Sequence, residues 1–348
     1  MRKRVKQIYY RKLALQPIFR SNARMINFND FQHQAVRDLT WALFSPSIIS
    51  GIGDRWPGIE ENWIPQTEKT AAWLTELDAN SEQLYLYLNK KQQNKNNSFK
   101  LGIYFENLLS FFFENHPDYE LLGRNIKVND SKRTLGEFDF IYYDKCHAIN
   151  VHHEVAVKFY LQLSSKLTDQ PWSRWLGPGC LDRFDIKLLK MLGHQSHLSD
   201  TPEGQIILKQ LNVPNLIKRI SLKGCLFSPY IHVAADFPYA NQNRLSGQWC
   251  YVAELEKFLE NEIDNVWLPL RKQQWLAPLS LQLCPQISSL FTAEQVTHFA
   301  QTQLVSSAST PNPSPNPNPI MFLGFKSSHY SSAEACQRLF VVPNHWPW

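Results

Sequence analysis

Four charged residues sit inside otherwise apolar, strand-like runs of this chain. Glu137 and Asp139 lie in Thr134-Leu-Gly-Glu-Phe-Asp-Phe-Ile-Tyr-Tyr143, and Glu154 and Lys158 lie in Val151-His-His-Glu-Val-Ala-Val-Lys-Phe-Tyr-Leu161. Side chains alternate along a strand, so the spacing predicts that each pair shares one face of its strand. Carboxylates and a lysine gathered in apolar surroundings are costly unless they bind something. The natural guest is a hard divalent cation, Mg²⁺ or Mn²⁺, which takes oxygen ligands and often brings a phosphate with it. Phosphodiester hydrolysis needs this combination. A cation neutralises the phosphate and activates a water. A lysine beside it orients or deprotonates that water, or stabilises the developing charge. A salt-bridge network would explain any one of these pairs. Four such charges, with Glu106 in the preceding helix, favour the metal.

The elements that must hold these residues can be read around them. Leu101-Gly-Ile-Tyr-Phe-Glu-Asn-Leu-Leu-Ser-Phe-Phe-Phe113 is an apolar helix with Leu101, Phe105, Leu108, Leu109 and Phe112 on one broad face and Glu106 among them. Leu121 to Val128 is a short edge strand, and Asn129 to Arg133 and Asp144 to His147 are turns. The Trp172 to Gly179 stretch, with two glycines and a proline, is a loop. Asp182 to Leu192 is a helix with a basic side of Arg183, Lys187 and Lys190, extended by His194 and His197. Its place just after the charged strands makes Lys187 and Lys190 the expected contacts to a nucleic-acid backbone.

Upstream, Met1 to Arg24 carries eight Lys/Arg and no acid: a solvated basic leader, or an arm for phosphates. Asn29 to Phe44 reads as an amphipathic helix, Gly51 to Pro65 as a structured loop, and Glu68 to Leu77 and Ser81 to Gln92 as two further helices. Lys90 to Asn97 is a boundary loop. Downstream, Gly204 to Leu216 and Glu254 to Asn265 read as helices. Gly224 to Val233 and Trp249 to Val252 read as strands of a second sheet. The Pro/Asn/Ser-rich stretch 306–319 reads as an extended linker. Ile320 to Phe325 follows as a strand, Ser332 to Leu339 as a helix and Val341-Val342 as a last strand. The expected organisation is therefore a helical unit over 1–97, a core over 98–200 and an α+β region over 201–348.

With 348 residues, 43% hydrophobic and 19% charged, the chain is globular in composition. Its net charge of +5 is compatible with a polyanionic partner. Six scattered cysteines without a Cys-x-x-Cys pair argue against a zinc ribbon or a disulfide framework and fit a reducing cytoplasm. Lys12 and Arg20 interrupt any signal-peptide core, and no run of about 18 apolar residues predicts a membrane span. Gly-x-Ser-x-Gly and phosphate-binding Gly-rich loops do not occur. His194 and His197 have helical spacing for a metal but no acid or cysteine beside them, and His152 shares the face of Glu154.

The order helix, charged strand, charged strand resembles the PD-(D/E)XK nuclease superfamily, whose restriction-endonuclease-like core runs helix, strand, strand, strand, helix, strand. Gly136-Glu-Phe-Asp139 is similar to the Gly-Glu-hydrophobic-Asp form of several of its subfamilies. That likeness implies an α/β fold with a mixed central sheet, Asp139 as metal ligand, Glu137 and Glu106 as helpers, and Lys158 as the catalytic lysine. The sequence departs from the pattern at Ala156, where an acid is expected two residues before the lysine. Glu154 stands on the same face but about 7 Å further along the strand. More narrowly, Leu101-Gly-x-Tyr-Phe-Glu106, Thr134-Leu-Gly-Glu-Phe-Asp-Phe140, Glu154-x-Ala-Val-Lys-Phe-Tyr-Leu161, the Gly177-Pro178 loop, Arg37-Asp-Leu-Thr-Trp41 and Trp275-Leu-Ala-Pro278 resemble the bacterial domain-of-unknown-function family 1853. The expectation is a Mg²⁺- or Mn²⁺-dependent nuclease acting on nucleic acid, DNA first. The alternative is a nuclease-fold module without catalysis that binds nucleic acid or a protein. Neither reading fixes an oligomeric state.

Overall fold

In a computed structural model, residues 25–61, 64–93, 100–163, 171–231, 237–262, 265–279, 290–305, 318–326 and 337–348 are described. The basic leader, most of the 306–319 linker, the end of the Lys90–Asn97 loop and residues 332–336 of the expected last helix lie outside them. Among the described residues no helix is long and apolar enough to cross a membrane.

The helices are α1 (Gln34–Phe44), α2 (Ile52–Arg55), α3 (Glu68–Ala79), α4 (Glu82–Gln93), α5 (Leu101–Asn115), α6 (Phe184–Gly193), α7 (Pro202–Gln210), α8 (Leu255–Glu260) and α9 (Ala293–Leu304). The strands are β1 (Ile59–Glu61), β2 (Tyr119–Asn129), β3 (Thr134–Asp144), β4 (Ile149–Gln162), β5 (Trp175–Leu176), β6 (Leu216–Pro229), β7 (Leu245–Tyr251), β8 (Asn265–Leu270), β9 (Ile320–Lys326) and β10 (Gln337–Val342). They form one mixed sheet in the order β2-β3-β4-β6-β7-β10-β9-β8, with β1 on β6 and β5 on β4. Its centre, β4-β6-β7-β10, is parallel, and both wings are antiparallel.

Helices cover both faces, the three-layer solution for a sheet whose central strands are apolar on both sides. The odd residues of β4 (Val151, Val155, Val157, Phe159, Leu161) share a core cluster with α1, α3, α4 and α5. Phe113 stacks on Tyr142 at 4.1 Å between ring centroids, which seats α5 on β3. The even residues Ala156 and Tyr160 face the other way, into a cluster with α6. At the far end α8 and α9 cover β7, β8, β9 and β10.

Several expectations change. The strands expected in a second sheet belong to this one, because β6 pairs in parallel with β4 from Asn150↔Leu216 to Leu161↔Phe227 and β7 continues beyond it. Residues 337–339 are strand, not helix. Leu339, Phe340 and Val341 are each fully buried, with alternate side chains in the cores on opposite faces of the sheet. α7 stops at Gln210, since Asn212 is left-handed (φ 56°) and Pro214 follows. The Glu254–Asn265 helix is confined to α8, and Asn265 opens β8. The Gly51–Pro65 stretch holds α2 and β1.

Candidate functional site

The β3–β4 ladder runs from Asp144↔Ile149 to Phe140↔His153 and ends there. Beyond it the strands part, and backbone donors that would have joined the ladder need other acceptors. Two carboxylates supply them. Val155 N–H donates to Asp139 Oδ2 at 2.9 Å, and Asp139 N–H donates to Glu154 Oε1 at 3.4 Å. The fork therefore places Asp139 and Glu154 side by side.

Glu154 is fully buried. His152 Nε2 lies 2.8 Å from Oε1, and Gln195 donates to Oε2 at 2.8 Å. Burial pushes the His152 pKa down to about 3, so its ring is neutral at ordinary pH. It then donates Nε2–H to Glu154 and accepts at Nδ1 from the Ser199 hydroxyl, 3.3 Å away. Burial raises the Glu154 carboxyl to about 7. Burial, then the Glu154 charge, raises Asp139 to about 8. Lys187 projects from α6 toward this pair, donating to Gln195 Oε1 at 3.3 Å. Burial lowers its pKa, while the charges of Asp139 and Glu154 hold it up.

Lys158 lies on the face of Glu154, past Ala156, and forms an ion pair with Asp182 just before α6. Its backbone is fixed from β6. Gly224 lies opposite it with φ 145°, and a Cβ there would stand 1.7 Å from the Lys158 carbonyl oxygen. Gly136 has a parallel role under the Gln195–Asp200 turn, where a Cβ would meet Leu198 Cδ1 at 2.6 Å.

The other sequence candidates lie apart from this pair. Glu106 is 3.8 Å from Arg124 Nη2 and 3.4 Å from Asn125 Nδ2, on the α5 side of the sheet. Glu137 does not share a face with Asp139. Gly136 and Phe138 turn toward Leu198, but Phe140 turns toward α5, so the alternation slips at Asp139. Glu137 pairs in register with Lys127. Lys190 is exposed on α6. His197 bonds Asp200 at 2.8 Å, which ties it to its own turn. Among the described residues no group of three or more His, Cys, Asp or Glu side chains is arranged to hold a metal ion. Asp182 and Gln195 were not read from the sequence. A lone polar residue in a loop or short turn carries no periodic signal, although Asp182 does follow the Gly177-Pro178 loop that points at α6.

Chemically, the fork offers two adjacent carboxylates with raised proton affinity, a neutral histidine and an amide that orient one of them, and two lysines on the same face. No curated protein and no solved structure matches the chain. The profile of the family described as "Domain of unknown function (DUF1853)" matches residues 37–342. That span takes in the fork, α6 and all ten strands, and the chain belongs to the DUF1853 family.

Proposed function

We propose that this protein is a divalent-metal-dependent nuclease of the PD-(D/E)XK type, hydrolysing phosphodiester bonds in nucleic acid. The observation that carries this reading is the fork itself: Asp139 and Glu154 side by side on rigid strands, facing Lys187, with Lys158 on the same face. The order α5, β2, β3, β4, α6, β6, with the short β5 before α6 and α7 before β6 and with α5 and α6 on opposite faces, supports a restriction-endonuclease-like core.

The donor set suits Mg²⁺ or Mn²⁺. Such ions are commonly held by one or two carboxylates plus waters and substrate phosphates rather than by an all-protein cage. Asp139 and Glu154 would hold the ion, and Glu106 and Glu137 fall outside the set. When bound, the ion supplies charge neutralisation and an acidified water. The chain's own residues do the rest. His152 and Gln195 fix the Glu154 carboxylate. Lys187 and Lys158 present positive charge to phosphate oxygens, and Lys158 must exchange Asp182 for that partner.

Two observations favour the second reading, a nuclease-fold module without catalysis: Ala156 stands where the superfamily places an acid, and Lys158 is engaged by Asp182. The test is cleavage of supercoiled plasmid and labelled oligonucleotides in Mg²⁺, Mn²⁺ and EDTA. The nuclease reading predicts metal-dependent products from the native protein and none from Asp139→Asn or Lys187→Ala. Equal cleavage by Asp139→Asn removes the assignment, and binding without cleavage under every metal selects the module.

A further inference from the structure

We propose that Trp56, Trp172 and Tyr239 form a platform on which unpaired bases of a single-stranded nucleic acid stack, next to the phosphate-facing lysines. The proposal deepens the nuclease reading and rests on it for the choice of ligand.

The three rings come from three separate places in the chain: the end of α2, the 3₁₀ turn Pro171–Arg174 and the bend after residue 237. They meet in a closed triangle, with ring centroids 6.5 Å apart for Trp56–Trp172, 6.0 Å for Trp56–Tyr239 and 6.4 Å for Trp172–Tyr239. These are separations of direct ring-to-ring contact, at interplanar angles of 43°, 61° and 84°, so the rings meet tilted and edge-on rather than in one plane. The rings therefore fill the space between them, which argues against a cage around a cation and directs a ligand to the solvent side of the cluster. All three are half-buried, whereas the aromatic residues beneath them, Phe184, Phe237 and Trp175, are buried.

The platform is held rigidly. Trp172 packs on Phe184 and Phe237 at 6.3 Å each, and Phe184 packs on Tyr160 of β4 at 5.5 Å. Tyr239 is held in the left-handed region at φ 65°, which is costly for an aromatic residue. Its carbonyl accepts from Ser50 N–H at 2.8 Å, and Ala240 bridges to Ile49. A ring fixed in this way loses little conformational freedom when a base stacks on it.

Location and charge select the ligand. Tyr160 continues the row Glu154, Ala156, Lys158 along one face of β4, so the aromatic cluster begins about 20 Å from Glu154, at about 3.3 Å per residue. Lys158 lies between them, Lys187 and Lys190 lie on α6 alongside, and the Arg244 guanidinium sits 5.9 Å from the Phe237 centroid. Acids are also near: Asp182 pairs with Lys158, and Asp185 pairs with Arg183. Lysines with a cluster of aromatic rings at one end suit a strand that offers phosphates to the lysines and bases to the rings. A duplex keeps its base faces stacked inside, so the occupant is single-stranded.

The test is fluorescence anisotropy of the full chain in EDTA, where cleavage cannot intervene. The probes are a labelled 20-nucleotide oligothymidylate, the matching oligouridylate and a blunt DNA duplex. The proposal predicts tighter binding of either single strand than of the duplex. Trp172→Ala and Trp56→Ala should weaken single-strand binding about 5- to 150-fold, the range for loss of one stacked base. Duplex binding should be unchanged, and Trp172→Phe should keep most of the affinity. Equal affinity for duplex and single strand, or alanine variants that bind like the native protein, would overturn it. Should an alanine variant fail to fold, ultraviolet cross-linking of a 5-iodouracil strand to the native protein decides. Adducts at Trp56, Trp172 or Tyr239 support the platform, and adducts only elsewhere refute it. Single-strand binding without cleavage under any metal would remove the nuclease reading and keep the platform. Cleavage without single-strand preference would do the reverse.

Discussion

Glu154 is the most demanding residue of the fork, because a buried carboxylate is tolerated only while its hydrogen bonds are made. His152 and Gln195 each supply one. Removing a partner leaves a buried acceptor short of a donor, which costs about 1–3 kcal/mol. His152→Ala and Gln195→Ala should therefore each lower the urea unfolding free energy by about that amount. Exposed Lys190→Ala should stay within about 0.5 kcal/mol of the native protein. Equal stabilities in the three variants would mean that the Glu154 network carries no weight. Asp139, Glu154 and Lys158 were legible in the sequence for the reason that makes them costly: each breaks an apolar strand pattern. Glu106 misled because a helix turns about 100° per residue, so neighbours of an apolar face turn either toward a site or, as here, toward Arg124. The expected common face of Glu137 and Asp139 failed because the strand slips at Asp139, which a two-residue count cannot foresee.

At the scale of the elements, the site depends on how closely strands and helices approach. Gly224→Ala would drive a Cβ into the Lys158 carbonyl at a backbone angle that favours glycine. We expect a loss of about 3 kcal/mol or more, seen as a sharply lowered melting temperature. Gly102→Ala on α5 meets nothing within 4 Å and should be neutral or stabilise by up to about 1 kcal/mol. α1 is tied to the segment after β8 through Asp38, which accepts from Ala277 N–H at 3.0 Å and from the Tyr104 hydroxyl at 2.9 Å. Burial raises the Asp38 pKa from 3.8 to about 7. The folded state then holds a proton that the unfolded chain releases, so this residue's contribution falls as pH rises from about 4 through about 7. Asp38→Asn keeps an acceptor oxygen for Ala277 N–H but has no proton to release. Its urea midpoint should fall less between pH 5 and pH 8 than that of the native protein, and an identical fall would contradict this account. α5, β3 and β4 announced themselves through apolar periodicity. β8 did not, because Pro269 interrupts it. A proline is tolerated there since β8 is the last strand of the sheet.

At the scale of the whole molecule, one sheet joins regions that the sequence suggested as separate. β4 pairs with β6 across residues more than sixty apart, and β10 inserts between β7 and β9. Parallel neighbours leave no turn signature between them, so composition and periodicity could reveal the strands but not their common sheet. This continuity sets the Asp139–Glu154 fork where the parallel centre of the sheet meets an antiparallel wing, flanked by α5 on one face and α6 on the other. The proposed function requires Asp139 and Glu154 to hold a divalent ion. Calorimetric titration of Mn²⁺ and Mg²⁺ into the native protein and into Asp139→Asn is the decisive measurement. A saturable heat in the native protein that disappears in the variant is the expected result. Identical heats in both proteins, or none in either, would rule out an ion at the fork.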